Sequence, residues 1–399
     1  MTDDPRPSDR SHCAQRSQPH DGGKARDGQY SRAMRVDMLT EQLLAPVPGG
    51  TGRYTAEVCA ALAAGAPPGS SVQGWTAWHR DVSAAAVPGA PPPRRLPLPR
   101  RALTLAWEHG VPVRPSGGDL VHAPTLLAPP RGRRPLVVTV HDAVPWTHPE
   151  TLTPRGARWH RRMAERTVPS ADAVVVPTHA VARELSSFLS LPARVVVTGA
   201  GVGEQLGSPA DADERRRRLG VPEGEYVLTV ATLEPRKGLD VLLAALAERP
   251  GSLPPLVIAG QAGWGGVRPE ALAAELGLPA GAVRPLGRLS DADLAAVLHG
   301  ATVLAAPSRA EGFGLPVLEA MVAGVPVVSS DAPALVEVGG GATVVTPVGD
   351  PARLAAALRE VVSDAALRRS LAYSGRRRSA DFSWASVGAQ LWELYASLV

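Results

Sequence analysis

Apolar and polar positions alternate along this chain in blocks. Short runs rich in Val, Leu and Ala occur at 35–39, 72–78, 120–122, 136–140, 173–177 and 195–198. Runs that are apolar throughout, and not only at every second position, predict strands buried on both faces of a parallel sheet. Segments with helical spacing lie between several of them, at 51–64, 101–109, 155–168 and 179–189, the last preceded by Thr178 as a candidate N-cap. A second series begins at 226. Its strands are predicted over 226–231, 256–259, 282–285, 302–306, 326–329 and 343–346. Its helices are predicted over 239–247, 269–276, 291–299, 316–323, 351–362 and 365–378. Two strand–helix series predict an α/β protein of two Rossmann-like, doubly wound parallel-sheet domains. Ligands of such sheets bind beyond the carboxyl ends of the strands, so two facing domains predict a central cleft.

The same pattern sets the boundaries. Residues 1–33 are polar, mixed in charge and poor in aliphatics, and are expected to form a disordered tail, with Met34 an alternative natural start. The first domain is assigned to 34–206, the second to 207–379, and a closing helix to 380–399; the acidic, Gly/Pro-containing stretch 203–214 reads as the linker. The segment "PPPRRLPLPRRALTLAWEHG" has two open readings. It is either a Pro-rich loop entering an ordinary helix, or a basic, apolar surface around Trp107 that docks on an anionic membrane or lipid-linked acceptor.

Composition narrows the class. A hydrophobic content of 44% and a charged fraction of 20% describe a globular chain long enough for two full cores. Only Cys13 and Cys59 are present, which fits a reducing cytoplasm and no disulfide framework. No apolar run reaches the ~18 residues of a membrane span, and the N-terminus lacks a signal-peptide core. The expected location is cytoplasmic, with peripheral contact at the inner face of the membrane left open. The net charge of +4 is modest, and the basic clusters at 131–134, 215–218 and 376–378 are not interleaved with aromatics, so nucleic acid is not an expected partner.

One count changes the picture. Of 42 basic residues 40 are Arg, and beyond the N-terminal tail Lys237 is the only lysine. An ammonium suits a phosphate where a planar guanidinium fits poorly; the alternative is chance survival. In "YVLTVATLEPRKGLDVLLAAL" Lys237 and Arg236 stand where a strand passes through a loop into a helix, which would make a diphosphate clamp with Glu234 orienting it. In "ATVLAAPSRAEGFGLPVLEAMVAG" Glu311 lies in a second such loop and Glu319 one turn into the helix. Gly312 and Gly314 allow close backbone approach at a helix N-terminus. The two carboxylates suit a polyhydroxylated ligand with a phosphate between two sugars, or are a loop acid and a helix acid paired with arginines. "PVPGGTGRY" puts Gly49, Gly50 and Gly52 in a loop between the first strand and helix, and "VTVHD" puts His141 and Asp142 just after a strand. That histidine can meet a sugar hydroxyl or a leaving phosphate, or is simply packed.

From residue 34 to the C-terminus, these motifs resemble the retaining, nucleotide-sugar-dependent glycosyltransferases of family 4, which have the two-Rossmann GT-B fold. The specific match is "PSRAEGFGLPVLEAMVAGVPVVSSDAPALVEV", which holds the family's E-x7-E pair, Glu311 and Glu319. By that resemblance Glu311 contacts the donor sugar and Glu319 the nucleotide ribose. Arg236 and Lys237 hold the diphosphate, assisted by backbone at Gly312, Phe313, Gly314 and Leu315. His141 contacts the sugar, and Gly50 or Gly52 the phosphate across the cleft. The resemblance implies mannosyltransferase-like activity with GDP-mannose as first donor, a UDP- or TDP-sugar as alternative, an unidentified acceptor, and no cofactor or essential metal. Related mannosyltransferases often carry an additional Arg a few residues before the Lys, where this chain has "ATLEP"; either Arg236 stands in or the clamp is weaker.

Three rivals follow from other motifs. A metal-dependent transferase would use a D-x-D pair, Asp211 with Asp213 or Asp291 with Asp293, both read as helix starts. A dinucleotide oxidoreductase is suggested by "VVVTGAGVGE", but Glu204 stands where the third glycine belongs. The third is a sugar-nucleotide-binding protein without catalysis.

Overall fold

The computed structural model describes residues 32–399; the expectation of a disordered tail over 1–33, apart from its last two positions, lies outside the described residues. The first half runs β1 (Arg35–Leu39), α1 (Gly49–Ala64), β2 (Ser71–Trp78), β3 (Arg94–Pro99), α2 (Arg100–Glu108), β4 (Leu120–Ala123) and β5 (Leu136–Thr139). It continues through α3 (Val144–Thr147), α4 (Pro154–Thr167), β6 (Ala173–Val176), α5 (His179–Ser186) and β7 (Val195–Val197). The second half runs α6 (Ala212–Leu219), β8 (Val227–Val230), α7 (Leu239–Ala247), β9 (Leu256–Ala259), α8 (Pro269–Glu275), β10 (Val283–Gly287) and α9 (Asp291–His299). It closes with β11 (Val303–Ala306), α10 (Leu315–Ala323), β12 (Val327–Ser330), α11 (Pro333–Gly339), β13 (Val344–Thr346), α12 (Pro351–Ser363), α13 (Ala365–Ser379) and α14 (Trp384–Ala396).

All strand pairs are parallel and form two sheets, in the orders 3-2-1-4-5-6-7 and 10-9-8-11-12-13. Central strands such as "LVVT" and "AVVV" are buried at every position, as helices on both sheet faces require. In each sheet the order reverses between the first strand of the series and a later one, β1 beside β4 and β8 beside β11. The crevice at such a reversal is where open α/β sheets hold ligands. All the site loops described below leave strands at these two points or beside them.

The last helix packs on the first half of the chain. Trp392 Nε1 donates to the Leu62 carbonyl at 3.0 Å, and the Tyr395 hydroxyl lies 2.6 Å from His122 Nδ1. A Cβ on Gly201 would sit 2.4 Å from the Trp384 backbone nitrogen. The glycines of "TGAGVG" thus serve the close passage of two backbone segments, and no phosphate-binding helix follows them.

Four local expectations change. The Pro-rich segment is no loop but β3, the edge strand of its sheet, where a missing N–H costs no ladder bond. Trp107 is fully buried and its Nε1 donates to the Val113 carbonyl at 2.7 Å, so it belongs to the core and not to a docking surface. The stretch read as linker already contains the start of α6. Gly49, Gly50 and Gly52 are not in a loop but in the first turn of α1, behind Pro48.

Candidate functional site

The loop after β11 passes over the carboxyl edge of its sheet. There Glu311 Oε1 accepts from Lys237 Nζ at 2.6 Å and from the Ser308 hydroxyl at 2.7 Å. Its Oε2 accepts from Arg236 Nη1 at 2.8 Å. Arg236 also donates to the Ala310 carbonyl at 2.8 Å and to Glu234 Oε1 at 2.7 Å. Burial alone would raise the Glu311 carboxyl, but the Lys237 and Arg236 cations hold it down at about 2. Two strand-to-helix loops, distant in sequence, thus form one ionic cluster.

The sequence fits them together at Gly238. This residue has φ +66°, and a Cβ on it would lie 2.1 Å from the Pro307 carbonyl oxygen. Only glycine lets the 235–237 turn lie against the 307–311 loop. The turn itself is 3-10 over Pro235–Lys237, and α7 begins after it at Leu239, so Arg236 and Lys237 stand at the junction of loop and helix.

Glu319 projects from α10 into the same cavity and is almost fully buried. Its partner comes from the other sheet's half: Arg53 Nη1 of α1 reaches Glu319 Oε1 at 2.7 Å, while Nη2 reaches Asp291 Oδ1 at 2.7 Å. Burial raises the Glu319 carboxyl, and Arg53 works against that rise. α10 itself has no side-chain cap and starts from Gly314 at φ +98°. Pro316 has no N–H and the Val317 N–H donates to the Gly314 carbonyl at 2.9 Å, so in this first turn it is the Leu315 N–H that is left to meet an anion.

From the β5 side, His141 Nε2 lies 2.8 Å from the Pro124 carbonyl. A carbonyl only accepts, so Nε2 carries the proton. Burial lowers the pKa of the ring against the raising effects of that carbonyl and Asp142. The neutral imidazole keeps Nδ1 as an acceptor. It suits a sugar hydroxyl; a phosphate oxygen, itself an acceptor, would find no donor there.

His141, Arg236, Lys237, Glu311, Gly50, Gly52, Glu234, Gly312, Phe313, Gly314, Leu315 and Glu319 all line one cavity of about 800 Å³. Within it Phe313 is turned away, buried edge-to-face against Phe382, so only its backbone faces a ligand. Gly50 and Gly52 reach the cavity through the start of α1. Sequence reasoning gave no role to Arg53, although it quoted the motif that contains it.

The cavity is closed by direct contact between the two halves. Thr178 Oγ1 donates to the Gly312 carbonyl at 2.9 Å. Glu337 of α11 accepts from the first-turn N–H groups of His179 and Ala180 at 2.7 and 2.8 Å. A Cβ on Gly312 would lie 1.7 Å from the His141 carbonyl oxygen. Gly312→Ala is therefore expected to push the 311–314 loop off His141, destabilise the chain by about 1–3 kcal/mol, and reduce transfer at least about tenfold by misplacing both site histidine and carboxylate. Thermal melting and initial rates check this; wild-type rates in the variant would show that the loop adapts freely.

Of the four D-x-D carboxylates, Asp291 lines the cavity and pairs with Arg53, while the other three are paired with arginines away from it. Asp211 pairs with Arg215, Asp213 with Arg216, and Asp293 with Arg215 and Arg218 while accepting from its cap Ser290. A second cavity of about 680 Å³ adjoins the first, sharing His141, Asp142, Glu234 and Arg236, and is lined on its other side by Arg100, Arg155, Trp159 and His160. Among the described residues no helix is long and apolar enough to cross a membrane.

Comparison with known proteins agrees with this geometry. Residues 48–205 match the description Glycosyltransferase Family 4, and residues 211–378 match Glycosyl transferases group 1. The chain is 36% identical over 250 residues to the D-inositol 3-phosphate glycosyltransferase of a Nocardioides species, covering 58% of this chain and 55% of that protein, so it spans about half of that relative's length. It is 30% identical over 287 residues to the O-antigen chain mannosyltransferase B of Escherichia coli, covering 70% of this chain and 74% of the relative. Among solved structures, the sucrose-phosphate synthase of Thermosynechococcus elongatus shares the fold with a TM-score of 0.73 at 24% identity, over 92% of this chain and 99% of that one. The chain belongs to the family 4 glycosyltransferases and has their two-Rossmann, GT-B fold.

Proposed function

We propose that the protein transfers a hexose, mannose from GDP-mannose in the first instance, from a nucleotide sugar to a hydroxyl of an acceptor, with retention of anomeric configuration. The observation that carries this reading is the meeting of Lys237, Arg236, Glu311 and Glu319 at one cavity with the start of α10. The donor diphosphate sits at Lys237, Arg236 and the α10 N-terminus, its ribose at Glu319, and its sugar between Glu311 and His141. The bond between the anomeric carbon and the leaving phosphate oxygen breaks, and the acceptor oxygen bonds to that carbon on the same face. The acceptor proton passes to the departing phosphate. The two cations stabilise the charge that grows on the leaving group. Similarity to a mannosyltransferase over most of that relative's length supports the sugar; UDP- and TDP-sugars are the alternatives.

The acceptor enters through the adjoining cavity, whose Arg100 and Arg155 favour an anionic group on it. No essential metal takes part, since arginines occupy the carboxylates of both D-x-D pairs. Peripheral contact with an anionic membrane rests on Arg101, Arg155 and Arg158 around exposed Leu105, on a face where Arg162 is paired with Glu108 and Glu165 is also present.

A radiolabelled transfer assay with a panel of GDP-, UDP- and TDP-sugars tests the reading as a whole. One nucleotide family is expected to support transfer, undiminished by EDTA, and salt-sensitive sedimentation with anionic vesicles is expected. Loss of activity in EDTA with recovery on adding manganese would overturn the metal-free step. Absence of both binding and transfer across the panel would leave a protein that keeps the fold without the activity.

A further inference from the structure

Glu319 is held asymmetrically. Its Oε1 is taken by Arg53, while Oε2 has no protein partner among the described residues and the side chain lines the donor cavity. Arg53 is only a quarter exposed and reaches across from α1, and its second arm ends on Asp291, which is half exposed. The buried arm is therefore the one that matters energetically, because exposed ion pairs contribute little. A carboxylate that is 4% exposed with no cation beside it would be costly.

We infer that Arg53 is a positioning residue of the donor site, holding the Glu319 carboxylate across the cleft so that its second oxygen receives the ribose hydroxyls of the nucleotide. This rests on the donor reading above and deepens it: the ribose pocket is complete only when both halves contribute. Arg53 thereby ties nucleotide affinity to the closed arrangement of the two halves.

Arg53 is the cation in direct contact with Glu319, and Arg288, just before α9, lines the same cavity and forms no ion pair with it among the described residues. Asp291 of α9 faces it as a second anion. Lys237, Arg236 and Glu311 are engaged with one another. Asp293 of α9 pairs with Arg215 and Arg218, His299 of α9 with the Leu206 carbonyl, and Glu337 of α11 with the start of α5. Arg376 of α13 lies at Gly324, beyond the other end of α10. With Arg53 neutralised, burial and Asp291 both push the Glu319 carboxyl further up.

The test is calorimetric titration of GDP and UDP into wild type, Arg53→Gln, Arg53→Lys, Glu319→Gln and the Arg53→Gln/Glu319→Gln double variant, at pH 6, 7 and 8.5. Wild type should bind one nucleotide with little pH dependence. Arg53→Gln should bind it at least about tenfold more weakly at pH 7, the value of one lost charged hydrogen bond, with any pH dependence running towards weaker binding at lower pH, because burial and Asp291 both favour the protonated Glu319. Arg53→Lys should restore most of the affinity. In the Glu319→Gln background, where folding no longer needs a buried charge paired, Arg53→Gln should change nothing further. Affinity equal to or tighter than wild type in Arg53→Gln would overturn the inference, because Arg53 would then compete with the ribose. So would a loss that is the same in both backgrounds, which marks a purely structural role. A wild type that binds neither nucleotide would instead remove the donor reading itself.

Discussion

Replacing Lys237 by alanine is expected to lower kcat for sugar transfer by about a hundred- to a thousandfold, the cost of removing one preorganised charge from a developing anion. Lys237 is the only ammonium among the described residues, and its Nζ lies 2.6 Å from Glu311 with the side chain 16% exposed. It stands at the edge of the cavity's ionic cluster, and Arg236 remains in the variant, bound to both Glu311 and Glu234. Ground-state binding of the donor should therefore survive in part. The loss should fall mainly on kcat, because the leaving phosphate carries most charge in the transition state. Lys237→Arg should recover little, since a planar fork cannot replace a point charge between Glu311 and a phosphate. The fold should persist with a modest fall in melting temperature, because Arg236 and Ser308 still satisfy Glu311. Steady-state kinetics on the donor sugar, with a melting curve for each variant, read this out. A kcat within threefold of wild type would remove Lys237 from the chemistry.

What the sequence reveals about this site depends on how local each signal is. The E-x7-E pair and the "EPRK" turn are legible because strand, loop and helix follow one another within about twenty residues, and the residue types have few other reasons to sit at a carboxyl edge. Their ionic union is less legible, since Lys237 and Glu311 are brought together only by the adjacency of β8 and β11. Arg53 is hidden for the same reason in stronger form: its partner is 266 positions away on another sheet's helix. Gly312 reads as a permissive loop residue, and nothing local says that the His141 carbonyl lies against it.

The missed elements have local causes. Prolines in "RRLPLP" argue against a strand, but an edge strand tolerates them. α6, "ADERRRRL", buries none of its residues, so it has no apolar face for periodicity to detect. α11, only seven residues long, starts at Pro333 and runs into glycines that read as a turn.

Acid stability should carry the mark of Glu311. Its carboxyl is held at about 2 against an ordinary 4.5, so the folded state binds this proton less readily than the unfolded chain does. The resulting stabilisation, about 3 kcal/mol, is present above pH 4.5 and is lost as the pH falls from there to about 2. Roughly half of it should be gone by pH 3.5. Glu319 acts in the opposite sense, because burial raises its carboxyl and protonation relieves that cost. Glu311→Gln separates the two. At pH 7 the variant should be less stable than wild type by about 3 kcal/mol or more, since Arg236 and Lys237 are left partly buried without their shared anion. Between pH 5 and 3.5 it should lose less stability than wild type, so the gap narrows as the solution is acidified. Urea unfolding at pH 7, 5 and 3.5 measures both effects. Parallel stability profiles for the two proteins would show that Glu311 titrates normally and that the cluster does not hold it ionised. A gap that narrows with acid, accompanied by loss of transfer at pH 7, would make the same three contacts the anchor of the loop and the setting of the donor site.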